Sequence, residues 1–381
     1  MRWEPQGEDA HWCETALEWL NGWLPADYSA RFAEYRLDLE FRRQYQRDVF
    51  DAGWLMPSWT PDLGGHEVGE EAELWIKLSF ARAHAPKLPN VQGPGVLAPA
   101  LMEFGDERQR SDVVPLLRGD VWWCLGMSEP GAGSDLAALR TTARPRDRGH
   151  VINGQKIWTS HARDATKCLL FARTGEPETR HRGITAFIVP MDSEGITVRK
   201  IDKIGPEDEE FCEVFFDDVF VPDVDRLGPL NEGWRVAMSS LSEERDMIWI
   251  MNLVEIERAL ALTADALRRS PDPPLELELE RARGNADSIW LTGLRGLANR
   301  VAERPDRQTP LLKLQSTEAA QQAFDLAARA HLPDSVLVGP HAPHGGELFA
   351  GEMEALGATI YGGTSEIQRN VIGERILGLP R

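Results

Sequence analysis

The hydrophobic period of this chain changes twice, and few folds accommodate that. Up to about residue 118, apolar residues recur at steps of three and four in "HWCETALEWLNGWL", "LDLEFRRQYQRDVFDAGWL", "EEAELWIKLSFARAHA" and "GVLAPALMEFG", as amphipathic helices require. "PSWTPDLGG" and "PNVQGPG" read as turns between them. From about 119 to 226 the pattern shortens to "CLLFAR", "GITAFIVP" and "CEVFFDDVFVP", β-branched and aromatic runs of strand length. Within "RDRGHVINGQKIW", Asn153-Gly154 predicts a tight hairpin turn. From Asn231 helical periodicity returns, and the acidic "SPDPPLELELE" reads as a helix–helix connection. The order predicts a mainly α chain with a central β domain, divided as 1–118, 119–226 and 227–381.

With 381 residues the chain exceeds what one hydrophobic core organises. Its formal net charge of −19 argues against nucleic acid or an anionic membrane surface as a main partner. It leaves an anionic small ligand open, because a few local donors suffice to hold phosphates. Cys13, Cys124, Cys168 and Cys212 are far apart and form no C-x-x-C pair, which argues against a disulfide framework or zinc site. The start "MRWEPQGEDA" has no apolar signal-peptide region, and no apolar run approaches membrane-spanning length, so a cytoplasmic location is expected.

The most specific stretch is "LGMSEPGAGSDLAAL", residues 125–139, a strand end running into a glycine-rich turn with hydroxyls at Ser128 and Ser134. Such a turn brings backbone N–H groups close to a flat polar heterocycle or a ligand carrying oxygens. It resembles the first signature of the acyl-CoA dehydrogenase family. "INGQKIWTSHA" resembles that family's flavin-covering segment, and "YGGTSEIQRNVIGERILGLPR" its C-terminal signature. "DAGWLMPSWTPDLGG" and "EVFFDDVFVP" fit in the expected order, so the resemblance covers nearly the whole chain.

The resemblance implies an N-terminal helical domain, a middle β-barrel-like domain and a C-terminal helical bundle, with FAD and acyl-CoA held between them. Carried over by position, Leu125, Met127, Ser128 and Gly133 contact the flavin, largely through backbone. Trp158 lies against it and Ser160 donates near N5. Ser134 lies by the pantetheine or pyrophosphate. Thr364 and Glu366 reach the adenosine end of FAD, often from a neighbouring subunit. Arg245, Tyr361 and Gly362 border the substrate.

The implied reaction is α,β-dehydrogenation of an acyl thioester, on CoA or a carrier protein, with an electron-transferring flavoprotein as acceptor. A carboxylate takes the α-proton, and many relatives place it directly after the tyrosine of the C-terminal signature. Here that position is Gly362, whose N–H still suits the thioester oxygen but which has no side chain. Other relatives supply the base from the first long helix of the C-terminal domain, before an arginine, and the match is Glu244. Ala237, Leu241, Glu244, Ile248 and Met251 share one helical face at steps of three and four.

Two departures qualify the match. The family's glutamine-glycine-glycine motif is missing, replaced by "ARAHLPDSVLVGPHAPHGGEL", and no arginine–phenylalanine clasp is evident. This resembles an actinobacterial subgroup in which two unlike subunits share flavin sites, so either a homotetramer or dimer, or a heteromer with a related subunit, is expected. His341 and His344 have no acidic or cysteine partner nearby and read as solvent-facing, with no metal. The rival readings are an oxidase or monooxygenase on the same fold, and a non-catalytic subunit of a heteromer.

Overall fold

The computed structural model describes residues 4–204, 210–304, 307–339 and 342–380, with backbone alone described for Ala33 and residues 240–248. Helices come first: α1 (Glu8–Trp23), α2 (Phe32–Leu37), α3 (Leu39–Asp51), α4 (Glu70–Arg82), α5 (Ala98–Phe104), α6 (Glu107–Arg110) and α7 (Val113–Arg118). Strands follow: β1 (Trp123–Gly126), β2 (Thr142–Arg146), β3 (Gly149–Ser160), β4 (Lys167–Arg173), β5 (Ile184–Pro190), β6 (Ile196–Ile201), β7 (Phe211–Pro222) and β8 (Arg226–Leu227). Then come α8 (Gly233–Arg269), α9 (Pro273–Val301), α10 (Thr309–Ala330), α11 (Glu347–Ala358) and α12 (Ser365–Val371).

Local chemistry sets several of these starts. The Asp38 carboxylate accepts the Phe41 N–H at 3.0 Å to open α3. Asp272 does the same for Leu275 at 3.2 Å, with Pro273 and Pro274 filling the first helical positions, where their missing N–H costs nothing. The acidic stretch expected to connect two helices is therefore the opening of α9, and only the residues around Ser270–Asp272 form the joint. At 37 residues α8 runs roughly 55 Å, at 1.5 Å per residue. It packs on α9, α10, α4, α5 and strand β5.

The strands pair in the order β6-β7-β3-β2-β4-β5-β8, with β1 parallel to β4. A barrel-like closure is expected from the resemblance, but the sheet is open: among the described residues the end strands β6 and β8 do not pair with each other. Two causes are visible. β2 meets β4 only at Thr142–Arg173, because β1 takes up the rest of that edge of β4. At the far end β8 is two residues long, too short to continue the ladder round. The halves pack over a second apolar core that includes Cys124, Ile152, Cys168, Phe187, Cys212 and Val214. The main core runs unbroken through all three regions, from Leu20 and Trp75 through Phe171 and Ile188 to Ile250 and Phe324.

Asn153-Gly154 is not a turn. The hairpin between β2 and β3 turns at Asp147-Arg148, with Arg148 at φ 57. Asn153 instead lies inside β3, opposite a bulge of β7, where its side chain donates to Asp218 Oδ1 at 2.9 Å and accepts the Asp218 N–H at 3.0 Å. Gly154 is there for space, since a Cβ would stand 2.6 Å from Thr141 Cα.

Candidate active site

β1 ends at Gly126, where a Cβ would meet Leu170 Cδ1 at 2.8 Å and Cys168 Sγ at 2.9 Å. Beyond it the chain leaves the sheet as an arch. Glu129 and Ala132 exchange backbone hydrogen bonds at 3.0 Å, which pinches the arch at its base. Gly131, Gly133, Ser134 and Asp135 lie exposed along its rim, and a Cβ on either glycine would touch nothing within 4 Å. On the far side Arg173, buried, donates to Ala137 O at 2.7 Å and Leu139 O at 3.0 Å. The arch is thus held at both feet and open along its top.

A buried ion pair holds the near foot. Lys156, fully enclosed on β3, donates to Glu129 Oε1 at 2.9 Å and to Met127 O at 3.0 Å. Glu129 also accepts the N–H groups of Arg140 at 2.6 Å and Thr141 at 2.9 Å. Burial opposes ionisation of Glu129, but Lys156 and these N–H groups outweigh it and hold the carboxyl below its ordinary range. Burial pulls the Lys156 ammonium below its ordinary range, with Glu129 working against that. Neither residue stands among the sequence-derived candidates. A signal existed: Lys156 shares the inward face of β3 with Ile152.

One backbone bond joins arch to strand, from the Ile157 N–H to Ser128 O at 3.0 Å. At that point, between the pairs Lys156–Val214 and Thr159–Cys212, two residues of β3 (Ile157 and Trp158) face one of β7 (Glu213), a bulge that puts Trp158 at φ 61. The indole is 57% exposed and stands edge-on to Phe211 at 6.2 Å. A tryptophan buries roughly 150–250 Å² when covered. At about 25 cal/mol per Å², leaving over half of it in water forgoes on the order of 2–3 kcal/mol. A strained, uncovered indole at a bulge is a ligand platform in its physical logic. Ser160 follows on the same strand, half-buried. The structure therefore brings Leu125, Met127, Ser128, Trp158 and Ser160 to one end of the sheet.

The C-terminal stretch lies on a different support. Gly362 and Gly363 take φ values of 64 and 100, left-handed conformations that favour glycine, and turn the chain from α11 into α12. Buried Gln368 reaches back to Gly362 O at 3.3 Å and Gly363 O at 3.4 Å, and the Thr364 hydroxyl caps α12 by accepting the Ile367 N–H at 3.3 Å. Tyr361 is 44% exposed. Thr364, Glu366 and Arg369 border an open groove of about 450 Å³ between α10 and α12, with Glu318 and Gln321 opposite. The Glu366 carboxyl lies below its ordinary range through its own backbone N–H and the Thr364 hydroxyl.

Glu244 and Arg245 lie on α8, and their side chains fall outside the described residues. His344 is exposed, its ring perpendicular to that of His331 at 5.4 Å, while His341 lies outside the described residues.

Comparison with known proteins gives this arrangement its class. Residues 124–219 match the acyl-CoA dehydrogenase middle domain and residues 231–377 the acyl-CoA dehydrogenase C-terminal domain. The chain belongs to the acyl-CoA dehydrogenase family and is an oxidoreductase of that kind. It is 32% identical over 379 residues to the acyl-CoA dehydrogenase IpdE1 of Mycobacterium tuberculosis, covering 95% of this chain and 96% of the relative. Among solved structures it resembles the ChsE4–ChsE5 complex from Mycobacterium tuberculosis, at 28% identity and a TM-score of 0.84, with both chains covered completely. The Tcur3481–Tcur3483 steroid ACAD is similar at 25% identity and a TM-score of 0.87, again over the whole of both chains.

Proposed function

We propose that this chain removes hydrogen from the α and β carbons of an acyl-CoA thioester, with FAD held against the arch and the β3 bulge. The observation that carries this reading is the joint between those two elements. The bond from Ile157 N–H to Ser128 O sets an exposed indole beside a backbone arch whose rim glycines, Gly131 and Gly133, have open space above them among the described residues. That combination suits a flat ring with polar edges. Leu125, Met127, Ser128 and Gly133 hold its polar edge, Trp158 covers its face, and Ser160 donates beside them. Thr364 and Glu366 hold the adenosine end, reached from a neighbouring subunit. FAD supplies the acceptor for the substrate's β-hydrogen, and an electron-transferring flavoprotein then takes the electrons.

Glu244 takes the α-proton, since Gly362 has no side chain for that task. Burial beside an apolar acyl chain raises a carboxylate toward the working range of a base. Arg245, Tyr361 and Gly362 border the substrate, and Ser134 lies by the pantetheine or pyrophosphate. The substrate is a bulky acyl-CoA of steroid type, a reading supported by the likeness to the Tcur3481–Tcur3483 steroid ACAD. Likeness to the ChsE4–ChsE5 complex supports assembly with a second, related subunit. Among the described residues no helix is long and apolar enough to cross a membrane.

The test is anaerobic bleaching of the flavin by straight-chain, branched and steroid acyl-CoAs. Glu244→Gln keeps FAD and slows bleaching by about 10²–10⁴-fold, the range a positioned base contributes. Bleaching of that variant at the wild-type rate overturns the assignment. Rapid reoxidation of the wild type by air would mark an oxidase.

A further inference from the structure

We infer that Lys156 tunes the flavin through one peptide unit, acting as a positioning residue on the Ser128 N–H; this rests on the FAD reading above. The Lys156 ammonium sits on Met127 O at 3.0 Å. That carbonyl and the Ser128 N–H are the two poles of one planar, conjugated amide. A cation on the oxygen draws electron density through the amide and strengthens the N–H as a donor. Among the described residues the Ser128 N–H donates to no protein acceptor, whereas its neighbour Glu129 N–H is taken by Ala132 O. The next carbonyl, Ser128 O, is fixed by Ile157 N–H, so the peptide cannot swing.

Stability alone gives little reason for this cation. Replacing a buried ion pair by apolar residues of similar volume is often neutral or stabilising. Glu129 has a distinct task here: burial favours the neutral amine, and the carboxylate, secured by Arg140 N–H and Thr141 N–H, works against that and favours the charged ammonium. The result is a preorganised donor at the edge where a flavin gains negative charge on reduction. Such a donor binds the reduced cofactor more strongly than the oxidised one and raises its potential.

The experiment compares the wild type with Lys156→Met and with the double variant Glu129→Gln/Lys156→Met, which leaves no lone buried charge. Both variants are expected to bind FAD, with affinity for the reduced form falling about tenfold relative to the oxidised form. For a two-electron couple that is a downward shift of about 30 mV in midpoint potential. A folded, yellow double variant with the wild-type potential overturns the inference. A second readout needs no variant. Labelling Met carbonyls with ¹³C and Ser amides with ¹⁵N selects only Met127–Ser128 and Met238–Ser239, and the second pair lies within α8. On adding FAD to the apoprotein, the Ser128 amide proton is expected to move downfield while Ser239 stays. An unmoved Ser128 signal in protein that has turned yellow sinks the inference even if both variants fail to fold. Wild-type protein that takes up no FAD sinks the FAD reading instead.

Discussion

Glu129 is ionised where burial disfavours charge, and that makes it a pH-sensitive element of the fold. Its folded carboxyl titrates below the unfolded value of about 4.3. Its contribution is therefore complete above about pH 4.3 and is lost as pH falls through the folded value. The double variant Glu129→Gln/Lys156→Met removes that dependence without leaving Lys156 as a lone buried charge. Urea midpoints measured from pH 7 downward are expected to fall more steeply for the wild type than for the variant below about pH 4.3. Parallel curves would show that the carboxylate carries no such linkage. Residues of this kind were poorly legible. Met127, Ser128, Trp158 and Ser160 stand in a motif that can be matched by position. A lone lysine or glutamate defaults to a solvated reading, and only the inward register of Lys156 argues otherwise. The φ of Trp158 is likewise set by a bulge against β7, a partner more than fifty residues away in sequence.

At the scale of elements, glycines mark where backbones approach. A Cβ on Gly351 of α11 would stand 2.1 Å from Phe324 Cε1 on α10, so Gly351→Ala forces the two helices apart. Overpacking of this sort costs about 1–3 kcal/mol. Hydrogen exchange is expected to quicken in α11 and in the Tyr361–Gly363 turn that follows it, while β3 and β7 keep their protection. Unchanged exchange in α11 would mean that Phe324 simply turns aside. The two misread segments share one physical cause. Asn153-Gly154 carries a strong turn signal, but the close approach of Thr141, just before β2, demands a glycine as firmly as a turn does. "SPDPPLELELE" carries prolines and acids that break helices in mid-course yet suit a first turn. Local composition could not separate these cases, because the deciding partner lies elsewhere in the chain or depends on where a helix begins.

For the whole molecule, the helical, β, helical order was readable from period alone, because each period reflects which face an element buries. The openness of the sheet was not, since it depends on which strand occupies the edge of β4. The main core crosses all three regions, and two ion pairs stitch the N-terminal region to the C-terminal helices: Arg82 with Glu257 and Lys87 with Glu354. Unfolding is therefore expected as one cooperative event, with coincident midpoints by tryptophan fluorescence and far-ultraviolet circular dichroism. Midpoints that separate would show the regions to be independent.

The unclosed end of the sheet has a consequence for how copies of this chain meet in a crowded solution. An edge strand offers a ready template to any extended segment that drifts past. On β6 that template carries Thr197, Arg199 and Lys200 outward, with the Arg199 guanidinium lying over the Phe215 ring at 5.0 Å. A stray strand must approach two cations before it finds a hydrogen-bonding partner. The gap that prevents a barrel is thereby guarded against aggregation by charge.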